Sequence, residues 1–168
     1  MLVKDKLIVA LDFPDFESAK KMVEILGDEV DFYKIGLEMM MSGWYFDMIK
    51  FLKGKNKKIF ADLKFHDISN TVGAAVKNLS KLDVDLITIH TGSEDMMKGA
   101  FDNKGKSKII AVTVLTNLDE KDVGDMGFDK NLSLDELVLK KAKMALDCGL
   151  DGVVSSALRA KGFSRNLG

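Results

Sequence analysis

Three charged residues that follow one apolar run have types and a spacing that could do chemistry. The run at 59–61 predicts a buried strand, and Asp62, Lys64 and Asp67 come soon after it. In an extended chain residues two apart point to the same face, so Asp62 and Lys64 are expected side by side. A buried carboxylate and ammonium are costly to desolvate unless they hold each other. This spacing fits either a surface ion pair at a strand end or a reactive pair of opposite charges.

The same pattern recurs along the chain, because a polar or charged residue closes every predicted strand. Five further apolar runs have the length and composition of strands, at residues 6–12, 31–35, 85–90, 108–115 and 151–155. The residues at or near the ends of the six strands are Asp12, Lys34, Asp62 with Lys64, His90, Thr116 and Ser155. This recurrence favours a functional site over a chance surface pair.

Helical patterns lie between the predicted strands. They cover residues 15–26, 43–53, 69–81, a segment that begins at 93, and 133–146. Asp15 is predicted as an N-cap, and Ser133 with Glu136 forms a capping box at the last helix. The residues expected on the buried side of the second helix are Trp44, Phe46, Met48, Ile49 and Leu52. A longer connection rich in Asp and Gly is predicted at 117–132.

The alternation of strands and helices predicts an α/β fold with a parallel sheet and helices packed outside it. An open doubly wound sheet concentrates its chemistry at one switch point, whereas a (β/α)8 TIM barrel uses the carboxyl ends of many strands. Polar endings on all six strands favour the barrel. A complete barrel has eight strands and typically ~250 residues. We therefore expect residues 1–168 to form a single barrel domain, incomplete at the C-terminus, with about six of eight β/α units.

Composition narrows the classes of function. The chain is 46% hydrophobic and 30% charged with a net charge of −1, which is typical of a soluble protein and gives no overall attraction to nucleic acid or membrane. A single cysteine, Cys148, excludes an internal disulfide, and two histidines leave little material for a zinc site. No apolar run approaches the ~20 residues of a membrane span. The N-terminus has no signal-peptide core, so we expect a cytoplasmic protein.

The stretch Asp62-Leu63-Lys64-Phe65-His66-Asp67-Ile68, followed by Asn70-Thr71, resembles the active-site signature of orotidine 5'-phosphate decarboxylase of the bacterial type. The resemblance covers essentially the whole chain in order, and the Asp-x-Lys-x-x-Asp core with its flanks is highly specific. Its further segments are 10–12, 33–36, 89–90, 112–116 and 152–156. The chain departs from the family at Ser69, where proline is usual. It also lacks the segment on the seventh and eighth strands that grips the substrate phosphate.

The resemblance implies loss of CO2 from orotidine 5'-phosphate to give UMP in pyrimidine biosynthesis, without metal or cofactor. By position, Lys64 would protonate the ring carbon as CO2 departs. Asp62 would lie against the substrate carboxylate, and Lys34 would hold Asp62 and the ribose in place. Asp67 would reach across the interface of a homodimer into the partner's site.

The resemblance also implies a set of binding residues. Ile68 and Thr71 would belong to the same shared loop as Asp67. Asp12 would bind ribose hydroxyls, and Thr116 would contact the substrate near the base. Ser155 or Ser156 would read the base, and the sequence does not choose between them.

Several alternatives stay open. The chain could be a truncated, weakly active or inactive relic of the enzyme, a hypothesis that rests on its length of 168 residues. It could be a related Mg²⁺-dependent barrel enzyme acting on sugar phosphates, although those relatives have small residues after the last Asp of the motif, where this chain has residues 68–71.

His90 could be a hydrogen-bonded core histidine. The charged run at 53–58 is interpreted as a solvated turn because no aromatic residues interleave there.

Overall fold

The structure, a computed structural model, describes residues 6–129 and 131–156. In this part of the chain six parallel strands form one sheet, in which each strand pairs with the next one along the sequence. The strands are β1 (Val9–Ala10), β2 (Phe32–Gly36), β3 (Lys58–Phe65), β4 (Leu86–His90), β5 (Lys108–Val112) and β6 (Gly152–Val154).

The helices lie between the strands in the alternation that the sequence predicts. They are α1 (Phe16–Leu26), α2 (Leu37–Met41), α3 (Tyr45–Gly54), α4 (Ser69–Ser80), α5 (Glu94–Asp102), α6 (Glu120–Asp125) and α7 (Leu134–Asp147). A short 3₁₀ turn, Gly27–Glu29, links α1 to β2. No helix in the described ranges is both long and apolar enough to cross a membrane.

The strand order distinguishes the doubly wound sheet from the barrel, the two architectures considered from the sequence. A doubly wound sheet reverses its order at a switch point, whereas a barrel adds each new strand on the same side as the last one. The order β1-β2-β3-β4-β5-β6 contains no reversal. Because right-handed crossovers in one direction put all helices on one face, such a sheet belongs to the TIM-barrel class. The described residues supply six of its β/α units.

Local signals placed the helix starts correctly. The side chain of Asp15 accepts a hydrogen bond from the Ser18 N–H at the start of α1. Ser133 and Glu136 exchange the two bonds of a capping box at the start of α7. The connection at 117–132 is less irregular than expected, since it contains α6 with its own capping box, Asp119 with Asp122.

The predicted buried side of α3 was wrong in part. Trp44 precedes the helix and is 46% exposed, and Phe46 is 53% exposed. The residues of α3 that are buried follow the i, i+3, i+4, i+7 spacing of one helical face: Tyr45, Met48, Ile49 and Leu52. Phe46 falls outside that stripe, because one residue turns a helix by about 100°.

The boundaries of β1 and β5 also differ from expectation. β1 pairs only over Val9–Ala10, although the Leu11 N–H still donates to the Lys34 carbonyl (2.8 Å). β3 ends at Phe65, one residue beyond Lys64, so Asp62 and Lys64 lie in the last part of the strand, as the sequence indicated. β5 ends at Val112, and Thr116 therefore lies in an exposed turn beyond the strand.

Candidate active site

Four charged side chains, three on β2 and β3 and one just after β1, form one network at the carboxyl end of the sheet. Lys64 Nζ lies 2.8 Å from Asp62 Oδ2, and Lys34 Nζ lies 3.4 Å from the same oxygen. Lys34 Nζ also lies 3.1 Å from Asp12 Oδ1. The order Asp12–Lys34–Asp62–Lys64 alternates in sign, so each charge is stabilised by its neighbours. We call these four residues the ion network.

The parallel register places the members of the ion network side by side. Ala10 pairs with Lys34 and Gly36 pairs with Asp62, so the carboxyl ends of β1, β2 and β3 meet. Gly36 has no side chain, and a Cβ at this position would lie 3.9 Å from Lys34 Nζ and 4.0 Å from Asp12 Oδ1. The glycine therefore keeps space open beside the charged groups.

Asp62 is the most buried member of the ion network, with 8% of its surface exposed. Burial on its own would raise the pKa of Asp62. The hydrogen bonds from Lys64 and Thr88, together with the charges of Lys64 and Lys34, outweigh that effect and hold the pKa below its ordinary value. The site thus keeps a carboxylate ionised in a largely water-free position.

The loop after β3 lies at the same end of the sheet. Asp67 and Thr71 are exposed, and Ile68 is 71% exposed, which is unusual for a large apolar side chain. Asp67 Oδ1 accepts a hydrogen bond from the Ile68 N–H (2.6 Å). Ser69 begins α4, and its hydroxyl donates to the Asp95 carbonyl (2.7 Å), which ties the loop to α5. These side chains stand on the surface, beside the ion network rather than within it.

The two hydroxyl-bearing residues predicted at later strand ends have different surroundings. Ser155 directly follows β6, and its Oγ is buried with no hydrogen-bond partner in the described residues. Thr116 is exposed in its turn. The hydroxyl that does close β5 belongs to Thr113, which donates to the Val154 carbonyl (3.1 Å). The Ser155 hydroxyl is thus unpaired within the described residues, whereas the Thr113 hydroxyl bonds the backbone of β6.

Two histidines lie close together near the ion network. His90 ends β4, and its ring centroid lies 5.5 Å from that of His66 in the loop after β3. Burial lowers the pKa of His90, and the positive charges of His66, Lys141 and Lys64 lower it further. His90 is thus a partly buried imidazole that faces other basic groups. Within the described ranges no group of three or more His, Cys, Asp or Glu side chains could hold a metal ion.

Thr88 is a residue of the site that the sequence did not predict. This residue is fully buried in β4, and its hydroxyl contacts both Asp62 and the backbone of Lys64. The signal was available, since Thr88 is the one polar residue in the apolar run 86–89. An isolated threonine in a strand is usually a packing residue, so the run alone did not single it out.

The sequential parallel sheet and the charged carboxyl ends of its strands define a TIM-barrel protein with an enzyme-like site at that end. Residues 5–167 match the orotidine 5'-phosphate decarboxylase / HUMPS family. The chain therefore belongs to this family.

Individual relatives agree with that assignment. Orotidine 5'-phosphate decarboxylase of Methylococcus capsulatus is 54% identical over 156 residues, which cover 93% of this chain and 63% of the relative. The enzyme of Nitrobacter winogradskyi is 43% identical over 161 residues, 95% of this chain and 65% of the relative. The chain thus spans a little under two thirds of the length of these relatives.

Solved structures of the family have the same fold. The crystal structure of orotidine 5'-phosphate decarboxylase from Lactobacillus acidophilus superposes with a TM-score of 0.88 at 38% identity, over 96% of this chain and 76% of that one. The Methanocaldococcus jannaschii enzyme complexed with the inhibitor BMP has a TM-score of 0.78 at 30% identity, over 95% and 72%. The expected barrel class, with about six of eight units, is confirmed.

Proposed function

We propose that the chain decarboxylates orotidine 5'-phosphate to UMP, and that the ion network is the catalytic centre. The single observation that supports this most strongly is the buried, ionised Asp62 held between Lys64 and Lys34 at the carboxyl end of a barrel sheet. Asp12 extends the network toward solvent, where ribose hydroxyls would bind. Membership of the family supports the same reaction and a carboxy-lyase class.

In the proposed reaction, Lys64 acts on carbon C6 of the pyrimidine ring. The bond between C6 of the pyrimidine ring and the carboxylate breaks, and its electron pair stays on C6 as CO2 departs. The ammonium of Lys64 stabilises that carbanion and then donates its proton to C6, and Lys64 regains a proton from water. Because the ammonium is fixed by Asp62 before the substrate arrives, no reorganisation is needed during the reaction.

Asp62 contributes by repulsion, but repulsion is not sufficient. Two unit negative charges at ~4 Å interact by about 4 kcal/mol at an effective dielectric of ~20. Enzymes lower barriers by ~8–23 kcal/mol. The balance comes from stabilisation of the carbanion by Lys64 and from binding energy at remote parts of the substrate, such as the ribose hydroxyls near Asp12.

The remaining predicted residues have binding roles in this proposal. The free hydroxyl of Ser155 supports a role in reading the base, with Ser156 as the alternative. Thr116 would approach the base from the loop after β5, and Ile68 and Thr71 would contact the substrate from the loop after β3.

The proposal includes a homodimer in which Asp67 completes the partner's site. Exposed apolar side chains at the carboxyl end support an interface there: Leu37, Met41, Trp44 and Ile68 are 46–82% exposed. Large apolar side chains exposed at one end of the sheet favour an association surface there. A cytoplasmic location completes the proposal and is supported by the single cysteine.

The test is turnover of orotidine 5'-phosphate by the whole 168-residue chain, followed by the appearance of UMP. Lys64→Ala should lower kcat by about a thousandfold or more, since a positioned general acid contributes ~10²–10⁴. The control is Lys50→Ala, because Lys50 forms an exposed pair with Asp47 on α3 and should keep full activity. A chelator should leave the rate unchanged. Absence of UMP, or a Lys64→Ala variant with more than about a tenth of the wild-type kcat, would contradict the proposal.

A further inference from the structure

Strand β3 is irregular at Lys64. Ala61 pairs with Ile87 and Phe65 pairs with Ile89, so the three residues 62–64 of β3 lie opposite Thr88 alone. Within this bulge Lys64 has a φ of 51°, in the left-handed region that residues with side chains rarely adopt. Bulges near active sites re-aim a side chain, and they leave backbone groups without their usual strand partners.

Thr88 supplies the contacts that the bulge removes. Its Oγ1 accepts a hydrogen bond from the Lys64 N–H (2.9 Å) and donates one to Asp62 Oδ1 (3.0 Å). Thr88 is fully buried, so water does not compete for either bond. A hydroxyl is a side-chain group that both donates and accepts through one atom. Valine has the same shape but could make neither bond.

The hydrogen bond from Thr88 to Asp62 matters because the two oxygens of the Asp62 carboxylate have different partners. Both lysines approach Oδ2, Lys64 at 2.8 Å and Lys34 at 3.4 Å. Oδ1 is held by Thr88. Without that bond the carboxylate could rotate about its Cβ–Cγ bond, and the ammonium of Lys64 would move with it. A misplacement of about 1 Å can cost ~10²-fold in rate.

We propose that Thr88 is a positioning residue of the site: its hydroxyl locks the Asp62 carboxylate and the backbone of Lys64 in the one arrangement that aims the ammonium at the substrate. The inference rests on the proposed function for its kinetic consequence. The link between Thr88 and Asp62 does not rest on it and is measurable without turnover.

The kinetic test compares Thr88→Val, Thr88→Ser and wild type as whole chains. Thr88→Val should lower kcat about 10- to 100-fold, the range for losing a hydrogen bond to a charged group, with KM changed less than about threefold. Thr88→Ser keeps the hydroxyl and should restore most of the rate. The matched control is Thr91→Val, because Thr91 is also buried and its hydroxyl donates to the Val112 carbonyl, away from Asp62.

The second measurement follows the carboxyl carbon of Asp62 by NMR as the pH is changed. The pKa of Asp62 should be higher in Thr88→Val than in wild type or Thr88→Ser, because the hydroxyl favours the ionised form. Thermal unfolding checks that each variant is folded. If Thr88→Val does not fold, kcat and the pKa of Asp62 are still measured in Thr88→Ser.

The outcomes separate the two proposals. Wild-type kcat in Thr88→Val, a serine variant as slow as the valine variant, or an equal loss in Thr91→Val would overturn the positioning role. An unchanged pKa of Asp62 in Thr88→Val would overturn the contact itself. If wild type forms no UMP, the decarboxylase proposal fails, and the pKa comparison alone decides whether Thr88 orients Asp62.

Discussion

The two ends of the sheet use the same residue types in different ways. At the amino end, Lys57 Nζ donates to the Gly27 carbonyl (2.8 Å) and to Asp31 Oδ1 (3.1 Å). Asp85 Oδ2 accepts from the Ile59 N–H (2.9 Å), so a carboxylate before β4 is joined to the backbone of β3. At the carboxyl end, the lysines and aspartates of the ion network bind one another.

The lysines at the two ends also differ in exposure. The side chain of Lys57 is 8% exposed, whereas that of Lys64 is 32% exposed. A buried charge bonded to the backbone stabilises neighbouring strands, because removing it leaves backbone groups unsatisfied. A partly open charge bonded to other side chains is free to act on a molecule that enters. The amino end is therefore expected to govern stability, and the carboxyl end to govern chemistry.

The largest effect is expected at Asp62. Asp62→Asn keeps the size of the side chain but removes the charge that holds Lys64 and Lys34, so turnover should fall by about 100-fold or more. Asp85→Asn is the matched change at the amino end and should leave kcat within about twofold, since it is distant from the chemistry. UMP formation by both variants is the measurement. Equal losses would remove the distinction between the two ends.

The next prediction asks whether the carboxyl end is shared between subunits. Asp67→Asn and Lys64→Ala should each be nearly inactive alone, and mixing them should restore about a quarter of wild-type activity. In a random mixture half of the dimers are mixed, and one of their two sites is wild type. The measurement is UMP formation after unfolding and refolding the two variants together. No recovery on mixing would mean that each site is built from one chain.

Lys57→Met tests whether the amino end of the sheet governs stability. Methionine keeps the apolar stem but leaves the Gly27 carbonyl and Asp31 without this ammonium, so the free energy of unfolding should fall by about 2–3 kcal/mol. For a chain of this size that loss lowers Tm by about 5–10 °C. The kcat of the folded fraction should not change. A variant that melts like wild type but turns over slowly would reverse the roles of the two ends.

The smallest effect is a pH dependence at Asp151. Its Oδ2 accepts from Lys104 Nζ (2.7 Å) and from the Ile109 N–H (2.9 Å) at the amino end. Burial on its own would raise the pKa of Asp151, but these two bonds and the nearby lysine charges hold it below the ordinary value of 3.8. The unfolded chain therefore binds a proton more readily at this residue. The carboxylate stabilises the fold above about pH 4, and the contribution is lost as the pH falls through the lowered value.

Asp151→Asn should accordingly unfold about 1 kcal/mol more easily than wild type at pH 7, with the difference closing in acid. Urea unfolding at a series of pH values measures the gap. Asp47→Asn on the exposed face of α3 serves as the control and should differ from wild type by less than about 0.5 kcal/mol. A gap that stays constant down to the acid transition would exclude the carboxylate as its source.

Contacts between residues close together in the sequence were predictable, whereas contacts between distant residues were not. The caps at Asp15 and Ser133 were predictable because each binds a backbone N–H three residues away. Thr88 was missed because its partners, Lys64 and Asp62, lie 24 and 26 residues away. The prediction that Trp44 and Phe46 are buried was wrong for the same reason. The face of α3 that meets the sheet is selected by packing against residues that are distant in the sequence.

Hydrophobic period and capping are local properties of the chain, so they were enough to predict the order of strands and helices, the polar residues that close the strands and the stretch 62–68. The contact of Lys34 with Asp62 was expected from the family resemblance, whereas the second contact of Lys34, with Asp12, is visible only in the tertiary structure. The tertiary structure also decided that the strand bulges and that Lys64 adopts a left-handed backbone. These features depend on the register between parallel strands, which forms across intervening helices and has no signal within any one segment.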